Sequence, residues 1–565
     1  MASRRNELSA YTFSRRRTVA AFLQPSGGGN EEDVPKPRRA FMPSLVVGAV
    51  VVAGFGAYGM IKPSAPLKWN TANAVIVDKE TTTRYVMLGG TLHPVLNIAS
   101  ARLLLSVDSS VEEVDDSVLN SGSVPHGATL GIPYAPDSLP TAKDAGTAKT
   151  WAECDRPAAD GQGGTDQKLF VLGGADAAKV TAAAPVPPAT PAQSGGALAS
   201  IGGPVNGRQA LYVEAPSGLY LVDSTGTAHQ LISSDSTAST PSQSTTPSAN
   251  NPPVSNPPAS TPPTAAKPPV DPASTQAAQR LATAAFGGDV GRPQTVTKQW
   301  LDTLRPGDPI SLPGIKAEMP GFNGSGTDLG GVHFKVGDLF REVDNSGQTL
   351  HYVVLKDGPH RVSDFTDRLI VALHKNTVTE PKLDPLAAVG ANNNRPFQPG
   401  DWPQNLVSQV DPGAADGTGS DVACSVYTGA VGPTGAPVQA LWTGSDYPID
   451  STSGSAGVYV TPGAGLLYRA VSGTSTDSGA VNLLTDTGLR YPVQMNADST
   501  APPNSLPTTA PSAGAAGAQS GQPNTTQDRL GYKSVNPQPV PEAWSGLLPT
   551  GPNLDPVAAR QQQGS

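Results

Sequence analysis

The sequence predicts a single-pass membrane protein with an α+β, β-rich extracytoplasmic domain, in which four hairpin-and-helix repeats surround a central domain in a quasi-two-fold arrangement. Three observations predict it. An uncharged apolar run lies near the start, a short glycine-centred pattern recurs four times, and two cysteines occupy matching places in the two halves.

The chain has 565 residues, 61 of them Gly and 57 Pro, with 5% aromatic and 15% charged residues. Such a composition argues against one compact enzyme-like core, and the length leaves room for about three or four domains. A 37% hydrophobic fraction still suffices to bury cores once the polar tracts are set aside. The glycines keep no G-X-Y period, which excludes collagen. Two cysteines are too few for a disulfide-dense scaffold or a four-cysteine zinc site. Residues 1–40 hold eight Lys or Arg against four Asp or Glu, yet the whole chain carries a net charge of −9. The body is therefore acidic, and no nucleic-acid partner is expected.

Taken in order, residues 1–40 read as a basic tail in which Leu8, Tyr11, Val19, Phe22 and Leu23 fall at roughly helical spacing. Such a helix suits either anionic headgroups or a cytoplasmic partner. Residues 41–61, FMPSLVVGAVVVAGFGAYGMI, carry no charge between Arg39 and Lys62. As a helix this run is about 31 Å long, enough to cross a hydrocarbon layer of about 30 Å. Gly48, Gly54, Gly56 and Gly59 offer a surface for a neighbouring helix, or simply reflect a glycine-rich composition. The run is too long, and starts too late, for a cleaved signal peptide. Arginines and lysines at positions 4, 5, 15–17, 36, 38 and 39 place the N-terminus in the cytoplasm by the positive-inside rule. The remaining residues are then outside.

The outer region carries the repeat. Gly90-Thr91-Leu92-His93-Pro94-Val95 returns as Gly226-Thr227-Ala228-His229-Gln230-Leu231 and as Gly488-Leu489-Arg490-Tyr491-Pro492-Val493, and one residue shorter as Gly358-Pro359-His360-Arg361-Val362. A strand-like stretch precedes each, so each glycine is expected in a hairpin turn needing positive φ. His93, His229, His360 and Tyr491 are read as structural residues of those turns. Residues 97–105 and 363–373 have the caps and apolar spacing of helices that cover a sheet face. From repeat glycine to cysteine is 64 residues in one half (90 to 154) and 66 in the other (358 to 424), which indicates a duplication. Further echoes pair Tyr212–Leu219 with Tyr459–Leu466, and Pro133-Tyr134-Ala135-Pro136 with Pro396-Phe397-Gln398-Pro399. Cys154 and Cys424, outside the membrane and equivalently placed, suit a disulfide; two separate buried thiols are the alternative.

The expected boundaries are 1–40 tail, 41–61 span, 68–121 first repeat, 122–200 first segment of the central domain, 201–233 second repeat and 234–278 Ser/Thr/Pro linker. There follow 279–385 third repeat, 386–445 second segment of the central domain, 446–495 fourth repeat, 496–528 second linker and 529–565 Pro-rich C-terminal strap. Neither linker has the apolar residues to build a core. Trp544, Leu547, Leu548 and Leu554 lead us to expect the C-terminal segment strapped onto a repeat, or else docked on a partner.

No catalytic constellation appears. The phosphate-cradling pattern G-x-x-x-x-G-K-[ST] is missing, and Gly146-Thr147-Ala148-Lys149-Thr150 lacks the glycine before the lysine. Neither G-x-S-x-G nor H-E-x-x-H occurs. No cofactor and no metal are expected.

The tail NELSAYTFSRRRTVAAFLQP, the single span, the four repeats, the two cysteines and the ending LLPTGPNLDP together resemble the EccB family. Its members are single-span membrane components of type VII (ESX-type) secretion systems, and the resemblance is to a form outside the mycobacteria. It implies a tail and span packed against EccC-, EccD- and EccE-like components, self-association within the complex, and an elongated outer domain with a bridged centre. It also implies a structural and assembly role in protein export. Cell-wall binding through the repeats is the alternative, and ATP hydrolysis, described for some members, comes third.

Overall fold

The computed structural model describes residues 4–23, 37–61, 65, 69–70, 73–158, 164–181, 202–232, 272–288, 290–344, 346–374, 381–383, 395–410, 421–450, 457–473, 475–494 and 525–563. The chain divides into two units, Met1–His93 with Ser110–Gly127, and Pro94–Ser109 with Ala128–Ser565.

The first unit begins with α1 (Arg4–Leu23) and α2 (Pro37–Ile61), the latter continuing through Pro43. Leu8, Tyr11, Phe13, Val19 and Phe22 of α1 are all exposed, as are the α2 side chains from Phe41 to Phe55. The expected span falls within α2. Among the described residues, no helix is long and apolar enough to cross a membrane.

Short stretches rich in apolar residues then form β1 (Ala74–Asp78), β2 (Arg84–Leu88) and β3 (Thr91–Val95), an antiparallel meander with Val75 opposite Val86. At Pro94 the chain enters the second unit, where it makes α3 (Ile98–Leu104) before returning as β4 (Ser110–Val114) and α4 (Asp116–Leu119). β4 lies parallel to β1, Ala74 opposite Ser110, and a parallel pair needs such a crossover. Ile76, Leu92, Val114, Leu119 and Val124 form the unit's core.

The second unit continues with α5 (Ala142–Ala145), β5 (Thr150–Pro157), β6 (Thr165–Leu172), α6 (Gly174–Thr181) and β7 (Gly202–Pro204). Next come β8 (Gln209–Ala215), β9 (Gly218–Asp223), β10 (Thr227–Gln230), α7 (Pro272–Phe286), β11 (Gln294–Thr295), α8 (Lys298–Asp302), β12 (Arg305–Pro306) and α9 (Leu312–Ala317). A small hairpin, β13 (Ser325–Leu329) and β14 (Val332–Lys335), leads into β15 (Leu339–Val343), β16 (Thr349–Leu355), β17 (Gly358–Val362), α10 (Asp364–Leu373), β18 (Lys382–Leu383) and β19 (Ser408–Gln409). The chain ends with β20 (Val422–Val431), β21 (Pro437–Gly444), β22 (Val458–Val460), β23 (Leu466–Val471), β24 (Val481–Leu484), β25 (Arg490–Pro492), α11 (Thr525–Arg529), β26 (Gln538–Pro541), α12 (Glu542–Gly546) and α13 (Pro556–Ala559).

Three strand groups in this unit share the order already seen in the first: an antiparallel meander, a helix, then a strand that returns parallel to the first. β11 returns beside β8 with Gln294 opposite Val213. β18 returns beside β15 with Arg341 opposite Lys382, and β26 beside β23 with Tyr468 opposite Gln538. The helices expected from residues 97–105 and 363–373 are α3 and α10. Asn97 accepts from the Ser100 amide at 2.9 Å and Ser363 from the Thr366 amide at 3.1 Å, each satisfying an orphan donor of the first turn.

Two expectations change. Residues 272–278 and 525–528, assigned to the Ser/Thr/Pro linkers, lie in α7 and α11; the linker residues before them lie outside the described set. The segment after each helix completes the sheet that precedes the linker: β11 belongs with β8–β10, and β26 with β23–β25. A meander leaves the outer edge of its first strand unpaired, and the returning strand covers that edge. Local periodicity could not say which sheet a strand beyond a long polar tract would join.

The central sheet runs β22-β6-β5-β20-β21-β7. β5 and β20 are antiparallel, with Cys154 directly opposite Cys424. One face carries Cys154, Cys424, Phe170, Val422 and Trp442. On the other, Trp151, Leu169 and Tyr427 join the core beneath β23 and β26, while Ala423 and Leu441 join the core beneath β8. The outermost strands break the symmetry, since β22 is parallel to β6 and β7 antiparallel to β21.

Candidate functional site

The cysteines meet first. Cys154 and Cys424 form a disulfide with their Cα atoms 4.0 Å apart, across a sequence separation of 270. Both are fully buried, so the bond is shielded from solvent thiols.

The four turn glycines all have positive φ: Gly90 at 82°, Gly226 at 75°, Gly358 at 124° and Gly488 at 80°. Without a Cβ they enter that region at no steric cost. Two or three residues on, His93, His229, His360 and Tyr491 sit on the third strand of each meander. His229, His360 and Tyr491 are buried.

A later segment runs alongside that third strand, a pairing that sequence reasoning missed. In the first repeat the Gly127 amide donates to the Leu92 carbonyl at 2.9 Å. In the second, the Gly307 and Ile310 amides donate to Ala228 at 3.0 Å and Gln230 at 2.8 Å. In the fourth, Gly551 and Leu554 donate to Arg490 and Pro492, each at 2.8 Å. The third keeps the anchor, Phe397 donating to Arg361 at 2.9 Å.

The glycines are there because a ring fills the space. A Cβ on Gly127 would lie 2.2 Å from the His93 ring, one on Gly307 2.5 Å from His229, and one on Gly551 2.5 Å from Tyr491. His229 Nδ1 donates to the Asp308 carbonyl at 3.0 Å, and His360 Nδ1 to the Arg395 carbonyl at 2.8 Å. Both acceptors lie two residues before the aliphatic or aromatic anchor, Ile310 and Phe397, so the clamp is the same in two repeats. The hydrogen bond from His360 Nε2, at 2.9 Å, holds the Asp357 carboxyl below its usual range. Each turn residue is thus a clamp on a returning strap.

The signal was in the sequence as an apolar residue, a glycine three later and an apolar residue three beyond that: Val124-Gly127-Leu130, Leu304-Gly307-Ile310 and Leu548-Gly551-Leu554. This register corrects one echo. Phe397 corresponds to Leu130 rather than Tyr134; it is buried, whereas Tyr134 is 89% exposed.

The C-terminal segment does more than strap. Its Arg529 donates to the carbonyls of Leu103 at 2.9 Å and Leu105 at 3.0 Å, and Arg102 donates back to Leu530 at 2.8 Å. Tyr532 OH donates to Pro140 at 2.9 Å, and Gln563 to Gly131 at 3.0 Å. Trp544 is fully buried against Trp151.

Among the described residues, no group of three or more His, Cys, Asp or Glu could hold a metal ion. A shallow cleft of about 310 Å³ is lined by Asp144, Gly174, Asp176 and Thr461, and its carboxylates are engaged. Asp144 pairs with Lys149 at 2.7 Å and accepts from the Gly465 amide at 2.6 Å; Asp176 accepts from Thr461 at 3.1 Å. Lys149, the lysine of the one string that approaches a phosphate loop, is buried in that ion pair.

Comparison with known proteins agrees with this framework. Residues 1–565 match the family described as "Type VII secretion system ESX-1, transport TM domain B". The chain is 24% identical to the ESX-3 secretion system ATPase EccB3 of Mycobacterium tuberculosis over 97% of its own length and 88% of that protein's. It is 31% identical to the ESX-1 secretion system ATPase EccB1 of the same organism over 26% of this chain and 30% of that one. Among solved structures, a chain of an intact ESX-5 inner membrane complex superposes with a TM-score of 0.55 at 18% identity, covering 100% of this chain and 96% of that one. The EccB3 dimer from the ESX-3 core complex gives 0.55 at 20% identity, covering 86% and 100%. Matched from its first residue to its last, the chain belongs to the EccB family of the type VII secretion system.

Proposed function

We propose that this EccB protein works as a structural and assembly subunit of the type VII secretion membrane complex, anchored by one membrane crossing at residues 41–61. Residues 1–40 stay in the cytoplasm, and the repeats and central sheet contribute to the complex's extracytoplasmic portion. The uncharged run and the basic residues before it support the crossing and its direction. In this reading the second repeat comprises residues 201–233 with 272–317, and the fourth comprises 446–495 with 525–563. The second and fourth repeats flank the disulfide-bridged sheet.

The observation that carries the proposal is the recurring clamp. A ring from the third strand seats a returning strap, and the polar groups this uses are spent on holding the chain together. A rigid frame of this kind suits a subunit that positions neighbours. EccC-, EccD- and EccE-like components and further copies of the chain are the proposed partners. The similar solved chains, from an ESX-5 inner membrane complex and an EccB3 dimer, support that choice. The relatives named as ATPases do not lead us to assign hydrolysis here, because Lys149 is committed to Asp144.

The test is crosslinking in cells, followed by purification of the tagged full-length chain from membranes. Co-recovery of EccC- and EccD-like proteins is expected. Recovery with peptidoglycan and without any membrane partner would favour cell-wall binding instead.

A further inference from the structure

The central sheet buries a carboxyl group that the framework does not need. On β5 and β20 three opposed pairs share one face: Trp151 with Tyr427, Glu153 with Ser425, and Asp155 with Ala423. Along the row through the middle pair, Leu169 of β6 stands beside Glu153 and Leu441 of β21 beside Ser425. Leu169 belongs to the fourth-repeat core and Leu441 to the second-repeat core. Glu153 and Ser425 therefore mark the seam where the two cores meet on the sheet.

That seam is polar and incompletely bonded. Glu153 and Ser425 are both 0% exposed. Neither Glu153 oxygen, nor Ser425 Oγ, nor the neighbouring Trp151 Nε1 has a hydrogen-bond partner within the chain. Asp155 is tied on one side only: its Oδ2 accepts from the Thr297 amide at 2.6 Å and hydroxyl at 2.9 Å, and its Oδ1 is unpartnered. Buried polar atoms left in such a row are normally joined by internal water. An ionised carboxylate there would be far costlier than a neutral one.

We propose that the Glu153–Ser425 seam is a proton-operated latch: a protonated Glu153, bridged by buried water to Ser425, lets the second- and fourth-repeat cores close on the central sheet. Loss of that proton admits solvent and loosens both.

Among the groups around Glu153 only Gln167 relieves its charge, and only in part. On its own strand stands Asp155, a like charge; on β6, Gln167; on β20, Ser425 and Tyr427, whose hydroxyl donates to Pro539 at 2.6 Å. The second-repeat side presents Thr297 and Trp300, and the fourth-repeat side Tyr468 and Trp544. Burial, and then repulsion from Asp155, push the Glu153 carboxyl up to about 8, an effect Gln167 only partly offsets. Burial raises Asp155 to about 6 against its bonds from Thr297. Both groups hold a proton more tightly when folded, so their contribution is complete below the ordinary carboxylate range and declines as pH rises. Above about pH 6 the decline belongs to Glu153, and it ends near pH 8.

Hydrogen exchange on the full-length chain in detergent micelles tests this, corrected for the intrinsic pH dependence of exchange. Between about pH 6.5 and about pH 8, amide protection in β5 and β20 should fall about fifteenfold, the effect of one linked proton that is half released in the folded chain by the upper pH. In Glu153→Gln it should stay level. Unchanged wild-type protection, or an equal fall in the variant, overturns the proposal. Should Glu153→Gln not fold, infrared spectroscopy of the wild type decides. A neutral-carboxyl band is expected at about pH 6.5, shifted by Ser425→Ala and lost at about pH 9. Absence of that band at the lower pH overturns the latch.

Discussion

Substituting Gly307 with alanine probes the clamp at its tightest described point in the second repeat. The added Cβ would lie 2.5 Å from Cε1 and Nδ1 of His229 and 2.7 Å from Cγ2 of Thr227. Gly307 is not among the positive-φ glycines, so backbone strain adds nothing and the clash stands alone. His229 cannot simply swing away, being fully buried with Nδ1 held by the Asp308 carbonyl. Overpacking of this kind costs about 1–3 kcal/mol, and loosening the hydrogen bond costs about 1 kcal/mol. Stiffening of the unfolded chain returns about 0.4–1 kcal/mol. The net is about 2 kcal/mol, or roughly a thirtyfold rise in the opening equilibrium. Hydrogen exchange of peptides covering β8–β10, in the full chain in micelles, reads that change directly. The ring is the larger cause and the Thr227 methyl the smaller, so Gly307→Ala should cost clearly less in a His229→Ala background. A loss of protection below about threefold in the single variant, or the same loss in both backgrounds, would refute the clamp.

Other perturbations bear on the rest of the frame. Replacing Cys154 and Cys424 together with serine releases a link across 270 residues; the chain-entropy model puts its loss at about 5 kcal/mol as an upper value, and the urea midpoint of the full chain should fall clearly. Trp544→Ala removes a fully buried ring packed on Trp151 and should cost about 3–5 kcal/mol, seen as faster exchange in β23 and β26. Gly551→Ala should weaken the fourth repeat through Tyr491, and Tyr491→Ala should remove that penalty, as measured by the same exchange assay.

Local features of the turns and helix starts were legible in the sequence alone. The turn glycines announced positive φ because each sits between strand-like residues and a polar or aromatic side chain. Asn97 and Ser363 announced helix starts because a side-chain oxygen there satisfies an otherwise orphan amide. The cysteines stood out through their similar offsets from Gly90 and Gly358, 64 and 66 residues. What escaped was contact between segments distant in sequence. Nothing local ties Gln294 to Val213, or Gln538 to Tyr468, across a polar linker. Gly307 and Gly551 look like ordinary loop glycines until the His229 and Tyr491 rings are placed against them. Glu153 was hidden for a different reason: its two-residue alternation with Trp151 and Asp155 says which residues share a face, but not that the face is buried.

The proposed role requires a framework held outside the membrane by one crossing at residues 41–61. Single cysteines introduced at exposed Ser14 and Ser217 test this most directly, because both native cysteines are bonded and no native thiol competes for label. With a membrane-impermeant maleimide on intact cells, Ser217→Cys should react and Ser14→Cys should react only after permeabilisation. The reverse pattern, or equal labelling of both before permeabilisation, would contradict that topology and the role built on it.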